Sequence, residues 1–357
     1  MSDRIQTAGR PEHGVLLDVR DLVTHFQTPR GVVRAVDGVS FTIDRGQTLG
    51  IVGESGSGKT ILARSIMGLL PNRGTTRRGQ VLFEGTDIAR LSISQMRRFW
   101  GKEMAMIFQD PMSSLNPLMK IGRQITEPLK THLGMSSSDA AATAEHLLNE
   151  VRIPEAARRL NQYPHELSGG MRQRVMIAIA LACGPTLLFA DEPTTALDVT
   201  VQAQILELIE VERKDRNMSV ILVTHDLGVV AKHTDVIGVM YGGKLVEKAP
   251  TRALFANMKM PYTEALLESI PRLADKSHTR LRVIGGRPPD LVHPPKGCRF
   301  SPRCPYARER CHDEEPQLVA AETPDHTYAC WYPVGSPEYL EIRERRAADA
   351  VAAGGVA

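Results

Sequence analysis

Residues Gly53 to Thr60 read GESGSGKT, a complete match to the pattern G-x-x-x-x-G-K-[ST]. The segment lies between the apolar run Leu49–Val52 and a helical run, Ile61–Leu70. Gly53, Gly56 and Gly58 let the backbone curl so that N–H groups, including those of Glu54, Ser55 and Ser57, converge on phosphate oxygens. A helix beginning there adds its positive dipole end. Lys59 is expected to bridge the β- and γ-phosphates of a nucleotide, and the Thr60 hydroxyl to ligate Mg²⁺. The competing reading, a flexible glycine turn with a solvated lysine, is disfavoured by the strand–loop–helix setting.

A second chemical pair follows the run LLFA, where Asp191 and Glu192 stand side by side. Asp191 is expected to hold Mg²⁺ through water, and Glu192 to align the attacking water and accept its proton. Two further polar groups close apolar runs. Gln109 follows Met104–Phe108 and faces Mg²⁺ or water, and His225 follows Val220–Val223 as a hydrogen-bond donor.

What must position these groups is a parallel sheet. The runs Leu49–Val52, Met104–Phe108, Leu187–Ala190 and Val220–Val223 are short and continuously apolar, as strands buried on both faces are. Ligands of open α/β sheets bind outside the carboxyl ends of the strands, so the segments after these four runs should converge on one site. Alternating runs at Leu16–Val19, Val39–Ile43 and Val81–Phe83 predict an antiparallel edge sheet. Between Pro111 and Gly170 the pattern turns helical, at Ile121–His132, Ser138–Val151 and Glu155–Leu160, predicting an insertion into the core. Val236–Met240 and Lys244–Glu247 should pair across Gly242-Gly243, and the composition shifts toward Pro, Arg and Cys from about Pro250.

Leu167 to Arg174 read LSGGMRQR: Ser168 suits a helix N-cap, and Gly169 and Gly170 leave bare N–H groups at the start of the helix Met171–Cys183. Together with the phosphate loop, FQDP, LLFADEP and VTHD, in this order, the segment resembles the ATPase domain of ABC proteins over about Val15–Pro250. The resemblance implies an α/β fold with a RecA-like core, an antiparallel β subdomain and a helical subdomain. It also implies a head-to-tail dimer in which ATP on one phosphate loop meets Leu167, Ser168, Gly169, Gly170 and Met171 of the other subunit. Asp198, in the segment TALD, would link the two sites. Phe26, in THFQTPRG, is the candidate for stacking on adenine, the alternative being a core phenylalanine.

The remainder, with PYTEALLESIP and PPKGCRFSPRCPYARERC, is similar to the C-terminal extension of oligopeptide and dipeptide importer ATPases, although Met260 stands where that family usually has His. Cys298, Cys304, Cys311 and Cys330 follow the spacing C-x5-C-x6-C-x18-C, too irregular for a zinc ribbon. The resemblance implies a [4Fe–4S] cluster, with Zn²⁺ second and unliganded packing thiols third. The expected organisation is a flexible lead-in at 1–14, an ATPase domain at 15–250 with its helical subdomain near 111–170, a small Cys-rich domain at 251–337, and a tail at 338–357.

The resemblance implies an ATP-hydrolysing subunit of a peptide importer at the cytoplasmic face of the membrane. It would pair with a second homologous ATPase subunit, as a heterodimer or alternatively a homodimer, and with two permease subunits supplied by an extracytoplasmic binding protein. Importers of nickel, glutathione or opines share this tail and stay open as alternatives. A soluble ABC protein of ribosomes or DNA is disfavoured by a single phosphate loop and the lack of long heptads. The balance of 44 basic and 41 acidic residues, a formal charge of +3, creates no single-sign field for nucleic acid. No run approaches the ~20 apolar residues of a spanning helix. The opening MSDRIQTAGRPEHG lacks the apolar run of a secretory signal, so a soluble protein that stays where it is made is expected.

Overall fold

The protein is described by a computed structural model covering residues 14–194, 198–269 and 284–352. Residues 1–13 of the expected lead-in at 1–14, Thr195 to Leu197 of the TALD segment, and residues 353–357 of the tail lie outside the described residues. The first six strands are β1 (Val15–Thr28), β2 (Gly31–Asp44), β3 (Thr48–Val52), β4 (Thr75–Phe83), β5 (Thr86–Asp87) and β6 (Met104–Ile107). They are followed by β7 (Leu187–Asp191), β8 (Ser219–Val223), β9 (Val236–Tyr241), β10 (Lys244–Pro250), β11 (Val319–Ala320) and β12 (Thr327–Tyr328).

Two sheets result. The antiparallel one runs β2-β1-β4-β5, and the larger runs β11-β12-β10-β9-β3-β8-β7-β6, with β9, β3, β8, β7 and β6 mutually parallel. Strands β3, β6, β7 and β8 are buried at every position, as their largely apolar sequences lead one to expect. The edge strands are longer than their sequence runs. β1 continues past Val19 because Asp21 adopts φ 45° and the register shifts there, so the polar Arg20-Asp21 pair forms an irregularity within the strand.

The helix after β3 spans Lys59–Ile66, starting two residues earlier and ending four earlier than the sequence run. Its end is set by Gly68, which takes the left-handed conformation at φ 67° just beyond the Met67 cap. Between β6 and β7 lies the helical insertion, chiefly Ile121–Leu133 and Ser137–Glu150, whose buried faces pack with the helix Gly169–Leu181. That last helix is buried almost all round from Gln173 to Leu181, which fits its run of apolar residues. Cys183 follows its end, half-buried, with its thiol pushed up by burial.

One group of buried apolar side chains joins the insertion to β6–β8, and a second fills the space between the two sheets. A third unites β9, β10 and the helix Pro261–Glu268 with Phe300 of the cysteine-rich segment. The C-terminal segment therefore shares a core with the α/β body. It also extends the main sheet, since β12 pairs with β10 at Glu247 and Lys248.

Candidate active site

Strand register explains why residues far apart in sequence meet. In the parallel pairing Ile107 stands beside Ala190, so Gln109 and Glu192, each two residues further on, emerge together. Asp191 stands beside Val223, which brings the segment Thr224–His225 to the same edge. The Glu192 N–H donates to Val223 O at 2.9 Å, and Gln109 Nε2 donates to Glu192 Oε2 at 2.9 Å. His225 Nδ1 lies 3.3 Å from Glu192 Oε1. Glu192 has φ 47°, a left-handed conformation costing on the order of 1–3 kcal/mol for a residue with a side chain. The carboxylate is thus held between an amide and an imidazole at the end of β7.

The loop Gly53–Gly58 leads from β3 into the helix Lys59–Ile66. Gly53 and Gly58 have φ 149° and 104°, and a Cβ at either would collide with backbone oxygen, of Met240 and Ala35 respectively. Only glycine fits those two positions. Lys59 is buried and folds back on its own loop, donating to Gly53 O at 2.7 Å and Glu54 O at 3.0 Å. Burial lowers its pKa, opposed by the charges of Glu192, Asp191 and Glu54. A phosphate chain entering the loop offers Lys59 a better partner than two carbonyls.

Thr60 Oγ1 donates to Asp191 Oδ1 at 2.9 Å. Asp191 is fully buried, and its other oxygen, Oδ2, has no hydrogen-bond partner, like Ser57 Oγ in the loop. Burial pushes the Asp191 carboxyl up, against the Thr60 hydrogen bond. The Thr60 hydroxyl and the buried Asp191 carboxylate, with its unbonded Oδ2, form an oxygen pair beside the loop that fits Mg²⁺. All the residues expected at the four strand ends are therefore brought to one edge.

The segment Leu167–Met171 is presented differently. Leu167 is buried and anchors it, while Ser168 and Gly169 are exposed and Ser168 Oγ accepts from Met171 N at 3.3 Å. An added Cβ at Gly169 would meet nothing within 4 Å, so this helix start faces open space. Asp198 is exposed and caps the helix Val199–Arg216 by accepting from Val201 N at 2.9 Å. Phe26 is half-buried on β1, opposite Val33 of β2 and Thr75 of β4.

Cys298, Cys304, Cys311 and Cys330 line one small cavity with Phe300, Tyr306 and Trp331. Burial pushes the Cys298 thiol up to about 11 and Cys304 up to about 12. Among the described residues no group of three or more His, Cys, Asp or Glu is placed to hold a metal ion. The four thiols thus share a cavity without forming a ligand cage.

Two contacts were not legible in the sequence. Gln173, buried in the helix Gly169–Leu181, donates to Pro193 O at 2.5 Å, directly after Glu192. Glu54 receives Tyr262 and Arg303 from the C-terminal segment.

Residues 36–195 match the family described as ABC transporter, and residues 246–311 match the oligopeptide/dipeptide transporter C-terminal region. The chain is 51% identical over 323 residues to a probable peptide ABC transporter ATP-binding protein of Sinorhizobium fredii, covering 90% of this chain and 96% of the relative. It is 48% identical over 341 residues to the oligopeptide transport ATP-binding protein OppD of Bacillus subtilis, covering 94% and 95%. Among solved structures, a dimeric ATP-binding cassette in a post-hydrolysis state with ADP and Pi aligns with TM-score 0.60 at 26% identity. That alignment covers 66% of this chain and 99% of the other.

Proposed function

Since this chain belongs to the ATP-binding subunits of oligopeptide and dipeptide ABC transporters, we propose that it hydrolyses ATP to power the import of di- or oligopeptides across a membrane. The observation that carries the chemistry is the junction of Lys59, Thr60 and Asp191 with Glu192, itself held by Gln109 and His225.

In this reading the backbone of Gly53–Thr60 and Lys59 bind the phosphates, and Thr60 with Asp191, joined by Gln109, would hold Mg²⁺, which supplies charge neutralisation. Glu192 takes the proton of the attacking water, Gln109 fixes its carboxylate, and His225 donates toward the γ-phosphate. Phe26 stacks on the adenine. The exposed Ser168 and Gly169 complete the site of a second, homologous ATPase subunit, with Asp198 linking the two. Binding of ATP closes the pair and hydrolysis reopens it, so differential affinity between the two states drives transport.

ABC ATPase domains dimerise and work with membrane permeases. Among the described residues no helix is long and apolar enough to cross a membrane, which is consistent with a peripheral subunit docked on two permeases at the cytoplasmic face. An extracytoplasmic binding protein supplies the peptide. We assign to the four cysteines, which line one cavity but as placed form no ligand cage, a [4Fe–4S] cluster, with Zn²⁺ as the alternative. Loading would require the thiols to draw together, and its folding free energy would staple a segment with little core of its own.

The test is reconstitution in vesicles with a second ATPase subunit, two permease subunits and a binding protein of a peptide importer. Peptide-dependent ATP hydrolysis and uptake of labelled peptide are expected. Stimulation by nickel, glutathione or an opine, without peptide response, would reassign the cargo while leaving the ATPase.

A further inference from the structure

Glu54, the second residue of the phosphate loop, is held by residues from beyond the α/β body. Its backbone N–H donates to Tyr262 Oη at 2.9 Å, and its carboxylate accepts Arg303 Nη1 at 2.5 Å and Nη2 at 3.0 Å. Arg303 directs further N–H groups to Gly285 O at 2.8 Å, Ile284 O at 3.1 Å and Tyr241 Oη at 3.2 Å. The guanidinium side chain is 3% exposed and the Glu54 carboxylate 26%. The Glu54 hydrogen bond and charge hold the Arg303 pKa above its ordinary value.

The platform beneath this pair is rigid. Tyr241, Tyr262 and Phe300 pack with ring centroids 4.4–5.2 Å apart. Arg299 enters the same region, donating to Gly242 O and pairing with Asp37. The segment Cys298–Cys304 thus docks two buried arginines against the nucleotide-binding body.

A carboxylate at the second position of a phosphate loop stands beside the triphosphate, where like charge opposes binding. A bidentate, dehydrated guanidinium neutralises it and fixes the loop in one conformation. We propose that Arg303 is a positioning residue of the ATP site, acting through Glu54 so that the C-terminal segment sets the affinity of the phosphate loop for MgATP. This rests on the reading of Gly53–Thr60 as the ATP loop.

The experiment measures MgATP affinity by calorimetry, on the full chain, for the parent, R303Q, R303K, E54Q/R303Q and K59A, with kcat and KM from the assembled transporter. R303Q is expected to weaken MgATP binding about tenfold, equivalent to ~1.4 kcal/mol, raising KM while kcat stays within about twofold. R303K, which keeps the charge but loses the fork, should lose about threefold. The pair E54Q/R303Q should bind within about threefold of the parent, because the unpaired carboxylate is gone. Loss of fold alone would not be rescued by that second change. Binding by R303Q within about twofold of the parent, or no recovery in the double variant, overturns the proposal. Should R303Q fail to fold, R303K and the double variant decide it by the same criteria. Parent-like MgATP binding by K59A would instead overturn the ATP-loop reading itself.

Discussion

The hydroxyl of Thr60 reaches Asp191 Oδ1 across 2.9 Å from a position 131 residues earlier, while Asp191 Oδ2 stays buried and unbonded. Burial, opposed by Thr60, Arg64 and Lys59, raises the Asp191 pKa. An acid whose pKa is higher folded than unfolded binds extra protons in the native state. Its contribution to stability therefore falls as pH rises from the ordinary aspartate value through the raised one. Nucleotide-free protein should lose stability across that window, and D191N should flatten the slope and melt no lower than the parent at neutral pH. MgATP should raise the parent's Tm but not that of D191N. Melting curves across pH check this, and a D191N protein much less stable than the parent would give the carboxylate a structural role.

Glu192 owes its place to the register of β6, β7 and β8. Glutamine at this position keeps an oxygen for Gln109 but cannot take a proton. Glu192→Gln should therefore bind MgATP with parent-like affinity while kcat falls on the order of 10²–10⁴-fold. Single-turnover hydrolysis measures the chemical step directly. Turnover within about threefold of the parent would move the base to another group.

The parts of this site that were legible in the sequence are those whose cause is local. Gly53 and Gly58 are required where a Cβ would strike backbone, and the four continuous apolar runs became the four buried strands that end at the site. Ser168 capped its helix for the same local reason. What local pattern could not carry was pairing at a distance. Tyr262 and Arg303 lie 208 and 249 residues from Glu54, and nothing in their neighbourhoods marks the phosphate loop as their partner. Nor did the shift in composition after Pro250 disclose that the chain returns to add β12 to β10. The alternating run Leu16–Val19 stops short of β1 because polar residues at an irregularity resemble the end of a strand.

Gly169 offers a way to separate the dimer from the fold. Its position is exposed and an added Cβ meets nothing within 4 Å, so Gly169→Asp should change stability by less than ~0.5 kcal/mol. An acidic group at a helix start is tolerated by the helix dipole, yet it would face the phosphates of a partner's nucleotide. In an E192Q background, ATP-induced dimerisation seen by gel filtration should disappear with G169D, while MgATP binding to the monomer persists. A dimer that survives the substitution would show that this helix start does not face the partner's nucleotide.

The four cysteines make the last prediction, because their placement is informative in both directions. They line one cavity, and Cys298 N donates to Cys311 O at 2.8 Å, so two of the four are tied by backbone as well as by proximity. Burial disfavours the thiolates of Cys298 and Cys304, and a metal that displaces the protons would offset that cost and draw the sulfurs inward. Purified without oxygen, the full chain should carry on the order of four iron atoms with acid-labile sulfide, and Cys304→Ser should lower both along with the melting temperature. One zinc per chain in place of iron would assign the alternative metal. Protein free of both, with a melting temperature unchanged by Cys304→Ser, would leave the thiols as packing groups, with the cavity wall already supplying their share of the segment's stability.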